Sequence, residues 1–259
     1  MKHIFSLLII IACCFSAKSE SSLIQQADSA YTADNFKEAA DTYLHVIATE
    51  GTSATLQYNL GNCYYRLGEM GKAILAYERA LRLDPTFDDA RNNLDFVNSR
   101  IADRPGERGT FLGNALDAAA NSSRSNVWAW LAFACFTLTI LGALAYIFSS
   151  AVAVRKVGFF GGFLTLLGCF CFVYLAFRSA AIATADNVAI ITSPSTILST
   201  SPRVPKDRTQ EAMLLHEGTR VEILDSVRST TDSINSLWYD VQVDNAHRAW
   251  INAAAVEKI

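Results

Sequence analysis

The sequence predicts a multidomain membrane protein with an all-α array of helical repeats, a two-helix transmembrane hairpin and a small all-β barrel, in that order. Three observations carry this. Ala39 and Tyr43 return as Ala73 and Tyr77, an offset of 34 residues in both pairs, which is a period of stacked helical hairpins. Residues 127–148 and 157–177 contain no Asp, Glu, Lys, Arg or His, and each run is long enough to cross a hydrocarbon layer of about 30 Å. Beyond residue 185 the periodicity changes to the two-residue alternation of strands, as at Val221 and Ile223.

Composition agrees with that division. Of 259 residues, 51% are hydrophobic and 18% charged, too apolar for an ordinary soluble chain. The net charge is −3, and acids outnumber bases on both sides of the apolar runs. No basic stripe appears, so a nucleic-acid partner is not expected. Of six cysteines, Cys13 and Cys14 lie near the start and Cys135, Cys169 and Cys171 in the apolar runs. Only Cys63 falls in a folded region outside them, which leaves no disulfide framework there and no zinc-site spacing.

Lys2 and His3 precede an apolar core, with small residues after it. Residues 1–19 therefore read as a secretory signal peptide, cleaved after Ser19. A second reading stands beside it, in which residues 10–13 form a lipoprotein box and Cys13 carries lipid. Both export the next segment of the chain.

Residues 21–102 form the helical domain. Leu60, Gly61, Tyr64, Ala73, Tyr77, Ala80 and Pro85 resemble the tetratricopeptide repeat in order and type. Gly61 and Ala73 allow close crossing, Tyr64 and Tyr77 fill the flanks, and Pro85 stops the second helix. The earlier copy is degenerate, with Gln26 at a large apolar position; Gln57 replaces an aromatic in the second. A further helix presents Ala90, Leu94 and Val97 on one face and caps the stack. The resemblance implies a peptide-binding groove facing Tyr58, Asn62 and Tyr65; the alternative is that these residues only solvate the helix. Cys63 reads as a buried structural thiol rather than a nucleophile.

Residues 103–126 link this domain to the first span. Pro105, Gly106 and Gly109 break the helix; Phe111, Leu112, Ala115 and Leu116 then form an apolar stripe, either an interfacial helix or plain linker. Trp128 and Trp130 open the first span at headgroup level. The spans are residues 127–148 and 157–177, joined by residues 149–156. Arg155 and Lys156 in that turn place it in the cytoplasm, with both flanking domains outside. Gly158 and Gly162 form a GxxxG, read as packing on the first span. The absence of charge within the spans disfavours transport.

Residues 185–259 form the β-module. Glu217-Gly218-Thr219 entering a strand at Val221, the Trp238-Tyr239 pair, Trp250-Ile251 and a terminal Val256-Glu257 resemble a bacterial SH3-type barrel, with Trp238 and Trp250 in its core. Asn245-Ala246 marks a hairpin turn. Ala249 and that turn depart from the glycines usual in the family. Arg203, Lys206 and Arg208 are either a solvated loop or a contact for a partner or anionic cell wall.

No catalytic motif appears: no HExxH, no GxSxG and no phosphate-cradling loop. The expectation is a non-enzyme without cofactor or metal. In order, the modules resemble the BatE proteins of bacterial aerotolerance operons. That resemblance implies a two-pass inner-membrane scaffold with periplasmic domains, working with other membrane-bound or periplasmic proteins. Among these are Bat proteins carrying von Willebrand A domains, in a stress or aerotolerance assembly. The competing expectation is a cell-wall protein whose barrel binds peptidoglycan.

Overall fold

In a computed structural model of the chain, residues 22–103, 109–229 and 236–259 are described. The expected signal peptide and Cys13 lie outside the described residues. The chain divides into two compact units after Thr52.

The first unit contains a helical hairpin, α1 (Ser22–Thr32) and α2 (Phe36–Glu50). Ala27, Ala30, Ala39 and Ala40 are buried, so small side chains sit where the degenerate repeat requires them. Buried Tyr43 donates its hydroxyl to Asp28. The turn between the helices uses Asp34 at φ 59°, a left-handed conformation that Asp tolerates better than most residues.

The second unit opens with α3 (Ala54–Leu67) and α4 (Met70–Leu83). The Ser53 side chain caps α3 by accepting from the Leu56 N–H at 3.2 Å, which satisfies an otherwise orphaned donor. Gly68 ends α3 at φ 81°, the left-handed stop that glycine takes without a Cβ penalty. A Cβ on Gly61 would lie 2.6 Å from the Tyr77 ring; glycine is what admits that tyrosine. Helix α5 (Asp88–Asn98) follows Pro85, starts on Asp88 and Asp89, and buries Ala90, Leu94 and Val97. Two carboxylates in the first turn suit the positive end of the helix dipole.

Helix α6 (Phe111–Ala120) leads to two long helices, α7 (Ser125–Phe148) and α8 (Val152–Ala183). Both are long and apolar enough to span a membrane. They form a tight hairpin: a Cβ on Gly142 would lie 2.8 Å from the Gly158 carbonyl and 3.0 Å from Gly162 Cα. The glycine spacing thus serves packing between these two helices, and the Thr139 and Thr165 hydroxyls bond across at 2.9 Å. Arg155 and Lys156 are not in a turn. The connection is only residues 149–151, and the basic pair rides in the first turns of α8. The reason is local: residues 152–157 contain no Gly or Pro to delay the helix.

The C-terminal part is an antiparallel sheet of β1 (Val188–Ile191), β2 (Ser195–Ser199), β3 (Glu211–His216), β4 (Arg220–Ser229), β5 (Ser236–Gln242), β6 (Arg248–Asn252) and β7 (Val256–Lys258). The order is β3-β2-β6-β5-β4-β1-β7. The expected closed barrel is not seen, because no ladder joins β3 to β7 and the sheet keeps two edges. Strand β7 is short, and the Lys258 and Ile259 carbonyls accept from Arg79 and Arg82 of α4. The core holds Ile191, Leu198, Val221, Val241, Val243 and Ile251. Trp238 is buried, but it faces away from that core, with Asp240. Trp250 is only half-buried and is not in the core as expected. Its neighbours Ala249 and Ile251 take the core face, and period-two alternation sends Trp250 to the other side. Residues 243–247 make the β5–β6 turn, where Asp244 accepts from the Ala246 and His247 N–H groups at 2.8 and 2.9 Å.

Candidate partner-binding surface

The faces of the second repeat are shared between two neighbours. One side of α4 carries the sheet. Ile190 of β1 packs with Ile74, Leu94 and Val97. The approach is close enough to require two glycines: a Cβ on Gly71 would lie 2.7 Å from the Ile191 carbonyl, and one on Gly218 would lie 2.7 Å from Ile74 Cδ1. The Gly71 N–H also donates to Glu217 at 2.9 Å. Arg79 pairs with Glu257 at 2.9 Å and Arg220 with Glu78 at 3.4 Å. The repeat and the sheet are therefore one packed body rather than two tethered modules.

Asp103 pins the same junction. Its carboxylate accepts from the His216 N–H, contacts His216 Nδ1 at 2.9 Å and accepts from the Thr219 hydroxyl at 2.8 Å. Burial pushes the Asp103 pKa up, but the bonds from His216 and Thr219 outweigh it and hold the carboxyl below the usual carboxylate range. An Asp, a His and a hydroxyl together invite comparison with a catalytic triad. The geometry does not match one: the hydroxyl bonds the carboxylate, not the imidazole, and Thr219 is 1% exposed. His247 lies with Asp244 in the β5–β6 turn, 2.8 Å away. Among the described residues no group of three or more His, Cys, Asp or Glu is placed to hold a metal ion.

The other face, on α3, is the one that presents Tyr58, Asn62 and Tyr65. All three are half-buried against α5. Asn62 Oδ1 accepts from the Tyr77 hydroxyl at 2.7 Å and from Asn93 Nδ2 at 2.9 Å. Tyr58 packs on Phe87 with ring centres 5.0 Å apart, and Tyr65 meets Phe96 edge-on at 5.7 Å. Arg100 donates to the Tyr65 hydroxyl at 3.0 Å and lies over the Phe96 ring at 4.0 Å. Sequence reasoning missed Asn93, Phe96 and Arg100. Their signal was there: Asn93 and Phe96 lie three apart on α5, on the flank next to the Ala90, Leu94 and Val97 face, and Arg100 follows just past the helix end. Phe96 is 46% exposed.

Aromatic rings, amides and a guanidinium thus share one strip. Such a surface can stack on side chains, bond a peptide backbone and receive a carboxylate. The residues of the repeat signature serve packing. Ala73 and Ala80 are fully buried, Tyr77 is 1% exposed, Tyr64 lies under Lys72 at 5.4 Å, and the Pro85 carbonyl accepts from Arg91 at 2.6 Å. Arg155 lies over the Tyr146 ring at 5.2 Å, at the connecting end of the α7–α8 hairpin.

Comparison with protein-family models matches residues 54–87 to the tetratricopeptide repeat. That match covers α3, α4 and Phe87. No curated protein matches the chain. Tetratricopeptide repeats generally mediate binding to other proteins.

Proposed function

We propose that the chain is a non-catalytic, membrane-anchored adaptor of the cell envelope that binds a partner protein through the strip formed by α3 and α5. The observation that carries the reading is the strip itself, in which half-buried Tyr58, Asn62 and Tyr65 of a tetratricopeptide repeat lie beside Asn93, exposed Phe96 and exposed Arg100 of the segment that follows it. The α7–α8 hairpin supplies the anchor as a two-pass span. Its connecting end carries Arg155 and Lys156 and faces the cytoplasm, and the repeat and sheet lie on the opposite side of a bacterial inner membrane, in the periplasm. The sheet fits an SH3-type reading: β4, β5 and β6 form a meander, β1 lies between β4 and β7, and a 3₁₀ turn, Ala253–Ala255, separates β6 from β7. The module order supports a place among the Bat-type stress or aerotolerance assemblies, with von Willebrand A-type membrane proteins as the partner class.

The test is co-purification. A tagged full chain, lightly crosslinked in membranes and extracted in detergent, recovers at least one membrane or periplasmic protein that the Phe96→Ala/Arg100→Ala variant loses. Equal recovery by wild type and variant, or recovery of nothing, overturns the reading. Peptidoglycan binding by the sheet is the second reading, favoured by exposed Arg203, Lys206 and Arg208. It predicts that the detergent-solubilised chain sediments with purified sacculi; a chain that stays in the supernatant removes it.

A further inference from the structure

Helix α6 has apolar residues that no described residue covers, and its neighbours fix where the helix lies. Phe111 is 91% and Leu112 68% exposed. The helix is held at both ends. Thr110 caps it by accepting from the Gly113 N–H at 3.1 Å. Just before, Gly109 and Asn245 exchange two hydrogen bonds of 2.9 and 3.0 Å, which ties the start of α6 to the β5–β6 turn. Near its other end, Asp117 takes a two-pronged bond from Arg178 at 2.6 and 2.9 Å, and the Ala120 carbonyl accepts from the Trp128 indole at 3.1 Å.

Those last two partners mark a level. Arg178 is the first charged residue after the uncharged run 157–177, as Lys156 is the last before it. At about 1.5 Å per residue the two charges stand about 33 Å apart, the thickness of a hydrocarbon layer. Trp128 sits at the matching end of α7, where amphipathic rings favour the headgroup region. The side chains that grip α6 are therefore the ones that mark the membrane boundary. Its one charged residue, Asp117, is spent on the hairpin, while Phe111 and Leu112 lie on the opposite side of the helix.

We propose that α6 is an interfacial helix whose Phe111 and Leu112 insert into the outer edge of the bilayer next to α8. Lipid, rather than a partner protein, is the proposed occupant because Asp117 and Ala120 are held by Arg178 and Trp128, the residues that set the boundary, and the neighbouring α7 and α8 are themselves apolar enough to span it. The helix then acts as a strut. It joins the β5–β6 turn to the hairpin, and Arg124, which precedes α7, pairs with Asp84 beyond α4. The repeat and the sheet are thus held at one height and tilt above the membrane.

This rests on the membrane-spanning reading, and the test separates the two. The full chain is reconstituted into nanodiscs of phosphatidylcholine and phosphatidylglycerol with p-benzoyl-phenylalanine at 111, 112, 136 or 214, irradiated, and examined by mass spectrometry. Positions 111 and 112 are exposed, so the substitution disturbs no packing. Phe136 lies mid-span, and Leu214 on β3 is the solvent control. The proposal expects lipid adducts at 111 and 112 within a few-fold of those at 136, and at least tenfold above 214. Lipid adducts at 136 with none above the 214 level at 111 and 112 overturn it, as do adducts at 111 and 112 that are protein rather than lipid. Absence of lipid adducts at 136 as well overturns the spanning reading and this proposal with it.

Discussion

Asn62 shows why the residue that looks most like a binding contact is a poor probe of binding. Its amide oxygen serves Tyr77 and Asn93 at once, so Asn62→Ala removes one acceptor from a buried hydroxyl and one from an amide. Such a loss costs about 1–3 kcal/mol. We expect Asn62→Ala to lower the unfolding midpoint in urea, whereas Phe96→Ala and Arg100→Ala, at exposed positions, leave it within error and reduce partner capture. A shift for Phe96→Ala as large as that for Asn62→Ala would show that the strip is structural. Asp103 makes a prediction in pH. Its pKa is depressed in the folded chain by His216 and Thr219, so its stabilising contribution is complete above the ordinary aspartate value of about 3.9. That contribution is lost as pH falls from there through the depressed native value. Asp103→Asn should weaken the repeat–sheet junction at neutral pH and flatten the acid limb of the stability curve; a variant with the wild-type acid profile would contradict the assignment. Asp84, held low by the Arg124 guanidinium, adds a loss of the same sign.

Among elements, legibility in the sequence depended on how local the signal was. The second repeat was legible nearly residue by residue because helix pairing imposes Gly61, Ala73 and Tyr77 at fixed spacing. The two apolar helices were legible from absence of charge alone. The first of them ends at Phe148 as expected, but the start of α8 was not legible: Arg155 and Lys156 suggested a loop by charge, while the helix already begins at Val152. The SH3-type resemblance implied Trp250 in the sheet core, against the alternation that Ala249 and Ile251 already displayed. Contacts distant in sequence, such as Gly71 with Glu217, left no periodic trace, so the docking of the sheet on α4 could not be read. The glycines allow a test at this scale. Gly61→Ala sets a methyl against the buried Tyr77 ring, and overpacking of this kind costs about 1–3 kcal/mol. In the hairpin, Thr139→Cys/Thr165→Cys should form a disulfide on oxidation in membranes, since the native hydroxyls are 2.9 Å apart. Adding Gly142→Leu should reduce the 139–165 linked peptide several-fold, because its Cβ meets Gly158 backbone. An undiminished yield would mean the helices do not pack through these glycines.

For the whole molecule, the docked sheet changes what an adaptor of this kind can do. A repeat and a β-module joined by a flexible tether would bind two ligands independently. Here Ile190, Asp103 and the α4 arginines make them one body, so under the proposed function a partner on the α3–α5 strip would meet a surface whose height above the membrane the hairpin sets. Topology is testable with reporters: an enzyme fused after Lys156 should report cytoplasm and one fused after Ile259 periplasm, and the reverse pattern would overturn the orientation. The central claim is that the strip on α3 and α5 receives a protein. Its most direct measurement is photo-crosslinking in intact cells with p-benzoyl-phenylalanine at 96, with and without Arg100→Glu. The account predicts a discrete protein adduct at 96 that the charge reversal reduces at least fivefold. The absence of any protein adduct at 96, or an adduct indifferent to Arg100→Glu, would contradict it.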